Sequence, residues 1–66
     1  RVLFRSDAAL TKLAAEDPKS AEIVKLHFFA GLPLEEVGTL MGMSRATAYR
    51  QWSYARSWLK CELERE

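Results

Sequence analysis

Arg45, Arg50, Arg56 and Lys60 carry all the charge found between positions 37 and 60, a stretch that holds no acidic residue. Cations gathered on one solvent face suit a polyanion, and nucleic acid is the commonest one. Ser44 and Thr47 stand beside them, with hydroxyls that can cap a helix or meet a phosphate oxygen. The remaining reactive side chains suggest no chemistry of their own. His27 is the single histidine and has no partner at ligand or triad spacing, so it is expected at a solvated helix position. Glu35 and Glu36 are adjacent, and neighbouring helical residues point about 100° apart, so they cannot flank one substrate atom. Their expected role is to favour the positive end of a helix. Cys61 is the lone cysteine, which excludes an internal disulfide and, without paired Cys/His spacing, a metal staple. With no nucleophile-base pair, no metal cluster and no phosphate-cradling glycine loop, the chain is not expected to be an enzyme or to need a cofactor.

The elements that must position these side chains are legible from period and punctuation. Ala9, Leu10, Leu13 and Ala14 recur at helical spacing over residues 7–16, with Ser6 or Asp7 as the cap and Asp17-Pro18 as the stop. A second helix is expected over residues 19–30, with Ile23, Leu26, Phe29 and Ala30 on one stripe, Val24 and Phe28 widening it, and Gly31 ending it. Pro33 opens a short third helix that runs to Met41. Gly42-Met43-Ser44 is the turn: Gly42 can take the left-handed conformation, and Ser44 can cap the fourth helix. That last helix keeps Ala48, Trp52, Ala55 and Leu59 on its core face, with Trp52 as packing anchor and Trp58 beside the stripe, over the first helix. Gly38 is small where the third and fourth helices must cross. The class is all-α, with four helices ending in a helix-turn-helix.

With the core direction fixed by that stripe, Ala46, Arg50, Ser53 and Ser57 point directly away, flanked by Arg45, Tyr49 and Arg56. A helix-turn-helix inserts the N-terminal half of its second helix in the major groove, so Arg45, Ala46, Tyr49 and Arg50 are the candidates for base edges. Arg50 is the first choice, because a guanidinium can meet guanine through two hydrogen bonds. Ser44 and Thr47 are placed for phosphate. Arg56 and Tyr54 lie farther along, where a straight rod leaves the groove, and suit phosphate or neighbouring helices.

Sixty-six residues with net charge +1 allow one small domain, of the size that buries only about 60% of its unfolded surface. The lone cysteine suits a reducing cytosol, and no apolar stretch approaches a membrane span. The chain starts without Met, and its first six residues, R-V-L-F-R-S, coincide with the translation of a common sequencing adapter. Residues 1–6 are therefore expected to be non-native, with the native domain at 7–66 and an upstream domain missing. The alternative is a genuine helix start with Leu3 and Phe4 in the core.

The strings F-F-A-G-L at 28–32, L-E-E-V-G at 34–38, M-S-R-A-T-A-Y-R at 43–50 and Y-A-R-S-W-L at 54–59 together resemble the fourth region of bacterial RNA polymerase sigma factors, especially the extracytoplasmic-function (ECF) type. The resemblance covers nearly everything from Asp7 to Leu63. It implies a cytoplasmic, nucleoid-associated domain, monomeric by expectation, that binds the minus-35 element of double-stranded promoter DNA and docks on the β-flap of the polymerase core. Docking is expected through apolar residues of the first three helices, and the resemblance leaves room for an anti-sigma factor as a further partner. Pro33 stands where the family usually has a capping serine, so the capping box is absent. Two other readings fit the same residues: a helix-turn-helix of another regulator, such as a response-regulator output domain or a transposase arm, and a helical protein-interaction module.

Overall fold

A computed structural model describes residues Val2 to Arg65, with side chains from Ala8 onward. Its helices are α1 (Val2–Glu16), α2 (Pro18–Ile23) continuing into a π-helical segment (Val24–Phe29), α3 (Leu34–Met41) and α4 (Arg45–Glu64). Among the described residues there is no strand, so the all-α, four-helix reading holds, with α3 and α4 as the helix-turn-helix.

Helix α1 extends back to Val2, so Ser6 and Asp7 lie inside it and do not cap it. No glycine or proline interrupts residues 2–16, and nothing else there stops a helix from propagating. The side chains of Leu3 and Phe4 lie outside the described residues. Asp17 alone separates α1 from α2, with Pro18 in the first turn of α2, where its missing N–H costs nothing. The joint is tied from below: Ser20, fully buried, lies 2.9 Å from Asp17 Oδ2 and 3.0 Å from the Gln51 amide. The nearer Gln51 atom is Oε1, and since a hydroxyl has one proton, Ser20 donates to one of these two oxygens at a time.

The second helix departs from the expected stripe. Ile23 and Val24 are buried and Leu26 is half-buried, but Phe28 and Phe29 are 67% and 49% exposed and Ala30 faces solvent. The cause is backbone: Ala30 N–H reaches back five residues to Lys25 O at 2.9 Å, and Leu32 N–H reaches Leu26 O at 3.0 Å. A π turn takes more residues per revolution than an α turn, so side chains beyond Val24 lag behind an α-periodic projection. Gly31, at φ 79°, then closes the segment. His27 is also not the solvated residue expected. Its Nδ1–H donates to Leu32 O at 2.7 Å, and its ring meets Trp52 edge to face at 4.6 Å.

Two core clusters result. One comprises Leu13, Ala21, Val24 and Ala55, packed by Leu10, Ala14, Trp58 and Leu59. The other joins Ile23, Leu34 and Val37 with Leu26, Leu32, Met41 and Met43. Trp52 packs against both, so the anchor role read from its period is correct.

Candidate nucleic-acid interface

The turn that aims α4 is built from three residues. Gly42 sits at φ 70°, ψ 33°, and its N–H donates to Thr39 O at 3.3 Å while Met43 N–H donates to Gly38 O at 2.9 Å. These paired bonds form a Schellman stop, and Met43 adds the hydrophobic contact such stops favour by packing on the cluster that contains Val37. A Cβ on Gly38 would lie 3.1 Å from Met43 O and 3.4 Å from Ala48 Cβ, so the turn and α4 rest directly on that glycine. Pro33 occupies the cap position of α3 in extended geometry with no side-chain cap bond. Its carbonyl accepts from Val37 N–H at 3.0 Å, so α3 starts one residue later than the sequence suggested.

Ser44 caps α4 as expected. Its Oγ accepts from Thr47 N–H at 3.1 Å and donates to Thr47 Oγ1 at 3.0 Å. The same Thr47 oxygen receives a long contact of 3.5 Å from an Arg50 guanidinium nitrogen. By helix geometry the N–H groups of Arg45 and Ala46 have no carbonyl within α4, and a 20-residue helix adds the positive end of its dipole there. An anion would be favoured at this corner.

Every site residue read from the sequence lies on the accessible side of α4 or its cap. Ser44, Arg45, Ala46, Tyr49, Arg50, Ser53 and Arg56 are exposed and Thr47 is half-buried, whereas Ala48 and Ala55 on the opposite face are fully buried. Tyr54, Ser57 and Lys60 are also exposed. Sequence reasoning missed one member. Glu35, from the first turn of α3, pairs with Arg45 at 3.3 Å, and the Arg45 guanidinium also lies 5.6 Å from the centre of the Tyr49 ring. No sequence spacing announces that pairing, because it depends on how α3 crosses α4.

A second surface lies beside the first. An apolar groove of about 390 Å³ is walled by Leu10, Phe28, Phe29, Trp52, Leu59 and Leu63, with Arg56 and Lys60 at its edge. It draws on α1, the π-helical segment and the second half of α4, so apolar accessible surface is not confined to the first three helices. Near the end of α4, Glu62 is buried and accepts a hydrogen bond from Lys12 of α1, with Arg65 3.8 Å away. The Lys12 hydrogen bond holds the Glu62 carboxyl below the usual range, against the opposing effect of burial, and the charges of Lys12 and Arg65 add to the lowering.

Among the described residues no group of His, Cys, Asp or Glu is placed to hold a metal, and no helix is long and apolar enough to cross a membrane. Neither the curated proteins nor the solved structures contained a match to the chain. The family model described as ECF sigma factor matches residues 2–65, nearly the whole sequence. The chain belongs to the ECF sigma factor family, whose members are transcription factors that work with RNA polymerase and promoter DNA to initiate transcription.

Proposed function

We propose that this domain recognises the minus-35 element of a promoter, with the first half of α4 in the major groove, while its apolar groove receives the β-flap of RNA polymerase in the bacterial cytoplasm. The observation that carries the reading is the row of exposed cations on α4, directly after a tight glycine turn and opposite a face of buried alanines. Arg50 reads a base edge, with Arg45, Ala46 and Tyr49 beside it. Ser44, Thr47, Ser53 and Arg56 hold the backbone. An anti-sigma factor covering the groove would compete with the flap.

The two groups must fail differently when mutated. Arg50→Ala should cost ~1–3 kcal/mol on the preferred duplex and relax one base position. Arg56→Ala should weaken all duplexes alike and make the salt dependence shallower by about one unit of slope. Salt titrations on preferred and scrambled duplexes separate the two, and equal loss on both for Arg50→Ala removes Arg50 from base reading. Capture of the flap segment should survive Arg50→Ala and be lost with Phe28→Asp. If folded Arg50→Ala protein loses the flap, the division of surfaces is wrong.

A further inference from the structure

We propose that Glu35 is a positioning residue for Arg45, holding its guanidinium in a base-reading orientation and restraining it from the phosphates. The inference rests on the DNA-reading role proposed above and adds a residue from outside the recognition helix. Both partners are accessible, with 57% and 68% of their side-chain surfaces exposed, so the pair contributes little to folding. What the geometry does supply is direction. One guanidinium nitrogen is 3.3 Å from Glu35 Oε2, and the ring of Tyr49, one turn along α4, lies 5.6 Å from the guanidinium carbon. An arginine has five N–H donors in a planar fork. With one edge on a carboxylate and the plane beside a tyrosine, the other edge remains for a base. Glu35 also adds a negative charge at a surface meant for a polyanion, which penalises unspecific approach to phosphate.

Glu36 supplies the control. It is exposed in the same first turn of α3 and carries the same charge, but no ion pair or hydrogen bond of its side chain is present among the described residues. Glu36→Gln therefore changes net charge and dipole balance without releasing Arg45.

The test uses a pool of short duplexes with a randomised central segment, bound by the 66-residue chain and sequenced after capture. The wild type should enrich defined bases, and Arg45→Ala should flatten one position of that pattern. Glu35→Gln should flatten the same position by about fivefold or more in base preference. It should also steepen the salt dependence on scrambled duplex by about one unit, as Arg45 turns to phosphate. Glu36→Gln should leave the pattern intact, Glu35→Asp should restore part of it, and all variants should melt like the parent. An intact pattern with Glu35→Gln, or equal flattening by Glu36→Gln, overturns the role of Glu35 while leaving promoter reading standing. A wild-type chain that enriches no base overturns promoter reading itself, and the role of Glu35 with it.

Discussion

At Gly38 the absence of a methyl group lets a backbone carbonyl approach to 3.1 Å of where a Cβ would stand. That oxygen belongs to Met43, whose N–H is already bonded back to Gly38 O, so the turn has little freedom to retreat. Gly38→Leu is expected to cost ~1–3 kcal/mol by overpacking and to lower the melting temperature. Gly38→Ala sets a helix-propensity gain of about 1 kcal/mol against crowding by the same carbonyl, and should melt close to the parent. An unchanged melt for Gly38→Leu would show that α3 and α4 do not cross there. Ser20 is the other decisive single residue. Ser20→Ala leaves the half-buried Asp17 and Gln51 without their shared partner, and a loss of about 1 kcal/mol in denaturant unfolding is expected.

Among the elements, α4 and the π-helical segment behave in opposite ways. Along α4 the α period is unbroken, so projecting the sequence at 100° per residue placed Ala48 and Ala55 inward and Arg50 and Ser53 outward, as the structure has them. The same projection failed after Val24, because the backbone there leaves the α repeat and carries Phe28 and Phe29 out to the surface. A periodic reading assumes the very geometry that this segment abandons. It could not anticipate the Glu35–Arg45 pair either, which is set by a crossing between helices and not by spacing along one. Exposure makes a measurable difference. Phe28→Ala should change stability by less than about 1 kcal/mol, whereas Val24→Ala, at a buried position, should cost more than that through the cavity it leaves. A Phe28→Ala loss as large as that of Val24→Ala in chemical denaturation would put Phe28 back in the core.

For the whole molecule, the first and last helices are tied together where Lys12 of α1 bonds Glu62 near the end of α4. The Glu62 carboxyl is easier to ionise in the folded state than in the unfolded one, where its ordinary value is 4.5. Its contribution is therefore present above that ordinary value and is lost as pH falls through the lower folded value. A Glu62→Gln variant should show a flatter melting temperature than the parent as pH falls below the ordinary value of 4.5, and parallel curves would show that Glu62 is not the group responsible. Between those ends Trp52 touches both core clusters, so neither half can loosen without exposing its indole. The unbroken rod of α4 has a further consequence for how two surfaces are phased. Arg50 and the groove residues Leu59 and Leu63 ride on one helix, so their relative azimuth is fixed by residue count alone. Inserting one residue between Arg50 and Ala55 would turn the Arg50-bearing side by about 100° against whatever occupies the groove, whereas seven residues would return it to within about 20° and move it ~10 Å farther off.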